Sequence, residues 1–372
     1  MYLEYVTEQK VDKSREKIVP AFKPKARIFV CGFGQTRQSW AEALRSWRKK
    51  LKRNAFDGDL YVAAGFGEDI LESRDETFCD YPHNYYSGDA EIYDFEEETL
   101  ADALSDSYRE WLAHYDTIEI VAHSFGVRLA AYIINSFPEE WFKTKTIRGI
   151  ALAGTVTAVG DGVGVPEENW GRTLDGLSVA TMEQFYLNLF NTPESYFNLR
   201  GFPGSVYSAR KRQNPFRTQA EFKERLLVCT MTNLDIKYAD LATDVCYKSA
   251  RSYLFYRPSS VMRDMTGWSY SSQKEQRMML LSAEMCFPRV APLGALGRSR
   301  FDQCFKLHYA YSDDLICPAE AIQGDLTQAG VTGSEVRELK CPHLNVGQIC
   351  ELLLEPNHPD WEHIGALIAA AS

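Results

Sequence analysis

The chain has 372 residues, 45% of them apolar, and a formal net charge of −10 at neutral pH. That length and apolar content support a large folded core and argue against disorder over most of the chain. The acidic balance argues against nucleic acid or an anionic membrane surface as the main partner.

Nine cysteines without paired short spacing read as free thiols of a reducing compartment, hence an expected cytoplasmic location, and no C-x-x-C pair suggests zinc. The start at Met1 has neither a basic end nor an apolar stretch, and no run reaches the roughly 18 apolar residues of a membrane span. Neither a secretory signal nor a span is therefore expected.

Residues 1–26 are charged and mixed, close with Pro20 and Pro24, and read as an extended N-terminal lead-in. Arg27 to Cys31 then form a strand that runs into a glycine-rich loop, Gly32-Phe33-Gly34. Ser39 caps the helix that follows, Glu42 completes a capping box, and Ala41, Leu44, Trp47 and Leu51 supply its buried stripe. Strand, glycine loop and helix also open a nucleotide site. The third glycine of G-x-G-x-x-G is missing, however, and no Gly-Lys-Ser/Thr follows, so no nucleotide cofactor is expected.

Leu60 to Ala64 form a second strand, followed by a long loop rich in aromatic and acidic residues, among them Phe78, Tyr81, Tyr85, Tyr86 and Tyr93. Loops of that length in a compact domain are functional or disordered. A helix with Leu100, Leu104, Trp111 and Tyr115 at helical spacing delivers the chain to Ile118-Glu119-Ile120-Val121-Ala122-His123-Ser124-Phe125-Gly126. This apolar run reads as a buried strand, and Val127 to Ile134 read as a helix with Ser124 at the bend. A sharp strand-to-helix turn lifts the serine hydroxyl clear of the sheet and aims the helix N-terminus at whatever that hydroxyl attacks. Ala122 and Gly126 read as small because the two arms of the turn approach closely.

Ala122-His123-Ser124-Phe125-Gly126 resembles the nucleophile elbow G-x-S-x-G of the α/β-hydrolase superfamily, with alanine in the first glycine position. The resemblance runs from about Arg27 to the C-terminus, apart from a long insertion. It implies an α/β fold with a mostly parallel sheet flanked by helices, and a catalytic role for Ser124. It also implies that the backbone N–H groups of Phe33 and Phe125 form the oxyanion hole.

Thr146 to Ala153 make another short buried strand, and the alternation of strands and helices argues for a parallel sheet covered on both faces. From about Thr155 to Arg300 the alternation stops. Helical patterns at 177–191 and from Thr218 are linked by loops rich in Gly, Pro and Ser, and Gly160-Asp161-Gly162-Val163-Gly164 reads as a flexible connection. An insertion at this place is where the resembled family carries its cap, so residues 155–300 are expected to form a lid over a core of 27–154 and 301–372. Arg210, Lys211, Arg212 and Arg217 form a basic cluster, either a solvated loop or a contact for a phosphate- or carboxylate-bearing substrate or carrier.

Phe305 to Tyr311 form the next strand, which ends at Asp313-Asp314. The last strand, from about Glu335 to Lys340, runs into Cys341-Pro342-His343, and a final helix covers Val346 to Leu354. The order serine, acid, histidine, each after its own strand, is the order of the resembled superfamily. Neighbouring residues leaving a strand point in opposite directions, so Asp313 and Asp314 cannot both face His343. Asp314, four residues before Pro318, has the spacing of the resembled family; Asp313 would face solvent or cap the next turn, and Asp161 is a further candidate acid.

His123 should point away from the serine, and His83, His114, His308, His358 and His363 show no metal-ligand spacing, so no metal is expected. A base is needed because a serine hydroxyl is a poor nucleophile until its proton is removed, and His343 suits that task near neutral pH. The expected activity is cleavage of a small-molecule or acyl-carrier-linked carboxylic ester or thioester through an acyl-enzyme. A serine in the elbow speaks against a dehalogenase, whose nucleophile would be an aspartate. Amide or peptide cleavage on the same residues is an alternative, as is a catalytically silent binding protein of this fold.

Overall fold

The computed structural model describes residues 2–5, 23–32, 35, 40, 44–45, 58–64, 106–166, 168–170, 295–314 and 316–371. Their strands are β1 (Tyr2–Tyr5), β2 (Lys23–Val30), β3 (Asp59–Ala64), β4 (Tyr115–His123), β5 (Thr146–Leu152), β6 (Phe305–Tyr311) and β7 (Glu335–Leu339). The helices are α1 (Asp106–Ala113), α2 (Gly126–Asn135), α3 (Glu139–Thr144), α4 (Ala295–Cys304), α5 (Ala319–Gln328), α6 (Val346–Leu354) and α7 (Pro359–Ala371).

The strands form one sheet in the order β1-β3-β2-β4-β5-β6-β7. All neighbouring pairs are parallel except β1 with β3, which is antiparallel. This is a mostly parallel sheet flanked by helices, in the arrangement of the α/β-hydrolase fold. The lead-in segment thus supplies an edge strand, and β2 begins four residues before Arg27. β6 is buried along its whole length and β4 at all but two positions, as befits strands covered on both faces.

One row across this apolar sheet is charged. Arg27, Glu119 and Arg148 are register neighbours on β2, β4 and β5. Arg27 Nε donates to Glu119 Oε2 at 2.5 Å and Arg148 Nη2 to Oε1 at 2.6 Å, while Lys25 Nζ lies 3.1 Å from Oε1. Burial alone would raise the Glu119 carboxyl, but Arg27, Lys25 and Arg148 hold it below the usual carboxylate range. The arginines reach past the carboxylate to the C-terminal helices: Arg27 Nη1 donates to Leu353 and Glu355 carbonyls at the end of α6, and Arg148 Nη1 to the Trp361 carbonyl of α7. Both guanidinium groups also lie over the Trp361 ring. The row therefore fastens α6 and α7 to the sheet.

Three expectations change. The apolar stripe placed on Trp111 and Tyr115 shifts: Trp111 is exposed, Leu112 is the buried residue, and Tyr115 begins β4. The reason is a turn at His114, whose N–H bonds the Trp111 carbonyl, and a buried phenol at Tyr115 that donates to Asp59. The helix at 346–354 is not the last, because α7 follows and buries Trp361 and Ile364. The segment Gly160 to Gly164 is a closed turn rather than a loose connection: Gly164 N–H bonds the Gly160 carbonyl, Gly160 N–H bonds the Val165 carbonyl, and Val159 bridges Val165.

The stretch inserted between β5 and β6 is rooted on one carboxylate. Where the chain leaves, Asp325 of α5 accepts from Thr157 through its hydroxyl and its N–H. Where the chain returns, Arg298 of α4 donates to the same Asp325 at 3.1 Å. The interior of the insertion, including 177–191, Thr218, Arg210, Lys211, Arg212 and Arg217, lies outside the described residues, as do Ser39, Trp47 and the aromatic loop.

Candidate active site

β4 ends at His123 and α2 begins at Gly126, so Ser124 and Phe125 make the whole bend. Ser124 adopts φ 57°, a left-handed conformation that L residues avoid at some energetic cost. The bend is held from two sides. Ser124 N–H bonds the Leu152 carbonyl at the end of β5, and the Ser124 carbonyl accepts from Val127.

Close packing explains the glycines. A Cβ on Gly126 would lie 2.3 Å from the Val30 carbonyl oxygen, and one on Gly154 would lie 2.1 Å from that of Ser124. Gly126 is therefore small because the end of β2 crosses it, and not because it meets Ala122. Gly154 presses the loop after β5 against the bend; a glycine two residues past the end of a buried strand is the signal in the sequence that marks it.

Ser124 Oγ lies 2.8 Å from His343 Nε2, and His343 Nδ1 lies 2.6 Å from Asp314 Oδ2. All three side chains are withdrawn from solvent. The other carboxylate oxygen of Asp314 accepts the N–H groups of Ile316 and Cys317, at 2.7 and 3.0 Å, so backbone donors orient the carboxylate toward the histidine. His343 is presented by the loop between β7 and α6, and α6 is started by Asn345, whose side chain accepts from Gln348 N–H.

Asp314, not Asp313, meets the ring. Asp313 is buried rather than solvent-facing, a departure from expectation: Ser312 takes the exposed position after buried Tyr311, and the alternation turns Asp313 back inward. Asp161 lies exposed on the turn of residues 160–164. Phe125 sits at the N-terminus of α2 beside Ser124, and its ring packs against Trp170 in a tilted arrangement with centroids 4.9 Å apart. Phe33 lies outside the described residues. Among them, no group of three or more His, Cys, Asp or Glu is placed to hold a metal ion. No described helix is long and apolar enough to cross a membrane.

His123 points away from Ser124, into the protein, where its Nε2 meets the His343 carbonyl at 2.8 Å. Burial pushes its pKa down to about 3 and that of the equally buried His308 down to about 4. In the unfolded chain both would titrate near about 6.5. Between those values the unfolded state holds protons that the folded state does not, so stability rises with pH. These contributions are complete above about 6.5 and fall away at up to about 1.4 kcal/mol per pH unit for each ring as the pH drops. Urea titrations at pH 7, 6 and 5 are expected to show this acid loss, and His308→Gln should make the dependence shallower. Equal slopes for the variant and the natural chain would mean that His308 takes up its proton as readily in the fold as in the unfolded chain.

No protein-family model matches the chain, and no curated protein matches it in sequence. Among solved structures it is similar to BioG from Haemophilus influenzae, with a TM-score of 0.37 and 12% identity over 92% of this chain and 94% of that one. It is similar to MGS-M2, an α/β hydrolase enzyme from a Medee basin deep-sea metagenome library, with a TM-score of 0.36 and 11% identity over 95% and 92% of the two chains. An acetylester hydrolase from Corynebacterium glutamicum gives a TM-score of 0.34 and 13% identity over 99% and 88%.

Proposed function

We propose that the protein is a serine hydrolase that cleaves a carboxylic ester or thioester through an acyl-enzyme. The observation that carries this reading is the series Asp314–His343–Ser124, with the histidine bonded through both ring nitrogens. Ser124 Oγ attacks the acyl carbon as His343 Nε2 takes its proton, and the same proton passes to the leaving alcohol or thiol as the tetrahedral intermediate collapses. Water then attacks the acyl carbon as His343 takes its proton, and that proton passes to Ser124 Oγ as the bond from Oγ to the acyl carbon breaks and the acid leaves. Asp314 keeps the His343 proton on Nδ1 in the resting ring and stabilises the imidazolium. The oxyanion is received by the N–H groups of Phe125 and Phe33, each donor contributing roughly 3 kcal/mol elsewhere. A fluorophosphonate probe tests the reading: labelling mapped to Ser124, with turnover of p-nitrophenyl esters or acyl thioesters, is expected. A folded protein that neither labels nor turns over any of them is a binding protein instead.

Residues 155–300 serve in this reading as a lid over a cytoplasmic enzyme's substrate, a small molecule or an acyl group on a carrier. The contact of Trp170 with Phe125 supports it, because it brings the first part of that stretch beside the nucleophile. Trp170→Ala is expected to open the acyl side of the site. The kcat/KM ratio for octanoate over acetate esters should rise about ten-fold, the scale of apolar pocket discrimination. An unchanged ratio would remove Trp170 from the substrate site.

A further inference from the structure

Behind the elbow, three buried side chains form a hydrogen-bonded series that the proposed reaction does not use. Trp40 Nε1–H donates to Gln35 Oε1 at 3.0 Å, and Gln35 Nε2 lies 3.2 Å from His123 Nδ1. An indole N–H can only donate, which fixes the orientation of the Gln35 amide and turns its NH2 toward the ring. Nδ1 of His123 must then accept, so the ring proton sits on Nε2 and is donated to the His343 carbonyl. Each donor in the series has one acceptor. Gln35 N–H in turn bonds the Gly32 carbonyl at 3.2 Å.

We infer that His123 is a positioning residue: it ties the backbone of His343 to Gln35 and so keeps the base in register with Ser124. This rests on the roles proposed above for Ser124, His343 and Asp314. The geometry gives the reason for a histidine in the elbow. The residue before the nucleophile is the last of β4 and faces inward, and only a side chain with a donor and an acceptor on separate atoms can answer a carbonyl on one side and an amide N–H on the other. Because the ring is buried and stays neutral at working pH, the two bonds do not exchange roles during turnover.

The test compares His123→Leu, His123→Gln and Gln35→Met in the full chain, with kcat and KM on a p-nitrophenyl ester, fluorophosphonate labelling and thermal unfolding. His123→Leu leaves the His343 carbonyl without its donor and is expected to lower kcat by about ten- to a hundred-fold with KM changed less than about two-fold, as small misplacements of catalytic groups do. His123→Gln carries one donor and one acceptor, as the neutral ring does, and should recover most of that loss. Gln35→Met leaves the His123 bond to the His343 carbonyl in place but removes the Gln35 amide that holds Nδ1, and should lower kcat by about ten-fold. It decides the matter if His123→Leu does not fold. Folded variants with undiminished kcat, or a Gln variant no better than Leu, would overturn the inference while Ser124 still labels. Absence of Ser124 labelling in the natural chain would overturn the underlying reading instead.

Discussion

Ser124→Ala is expected to abolish ester hydrolysis and fluorophosphonate labelling, a loss on the order of a million-fold in kcat as for other serine nucleophiles. The fold should survive, because the backbone bond from residue 124 to Leu152 remains and Oγ bonds only the His343 ring among the described contacts. Asp314→Asn should be nearly as damaging. Its amide oxygen can still take the Ile316 and Cys317 N–H groups, which leaves the NH2 facing His343 Nδ1. The ring would then carry its proton on Nε2, toward the serine, and could not act as base; about ten-thousand-fold is the expected cost. Asp313→Asn, one residue away, should stay within a few-fold. Persistent labelling in Ser124→Ala would move the nucleophile elsewhere, and equal effects at Asp313 and Asp314 would break the proposed pairing.

The largest expected loss of stability comes from Glu119→Gln. The side chain keeps its shape but leaves Arg27, Arg148 and Lys25 around a neutral amide in the sheet interior. Removing one partner of a buried ion cluster costs about 3–5 kcal/mol, since the remaining charges lose their compensation without regaining water. Urea unfolding followed by tryptophan fluorescence should show that drop, while the folded fraction still labels at Ser124. Glu119 lies four residues before His123 on β4, roughly 13 Å along the strand. A drop below about 1 kcal/mol would mean that water reaches the cluster and takes over the solvation.

The strands at 118–123, 146–152 and 305–311 were legible because covered parallel strands are largely apolar runs, and helices with turn residues separate them. The convergence of Ser124, Asp314 and His343 was legible from their order along the chain, and the spacing to Pro318 singled out Asp314 as the carboxylate that meets the ring. What stayed hidden depends on tertiary contact. Arg27 and Arg148 read as ordinary strand charges until α6 and α7 bring carbonyls over them. Tyr115 fits a helical stripe until Asp59 takes its hydroxyl into the sheet. The inward bonds of His123 depend on Gln35 and on His343, far away in the chain, and no local pattern in the sequence announces them. Tyr2–Tyr5 becomes a strand only because β3 offers an open edge.

The clasp formed by Thr157, Asp325 and Arg298 changes how the chain between β5 and β6 counts in the folding free energy. With both roots fixed on one helix, that chain enters as a closed loop, and loop-closure entropy grows only with the logarithm of length, about 0.6 kcal/mol for each doubling. The core therefore registers the size of the inserted segment weakly and the integrity of its two anchors strongly. Segments of very different length can be grafted between Thr157 and Arg298 at little entropic penalty, so the scaffold can accept a new insertion here without being rebuilt.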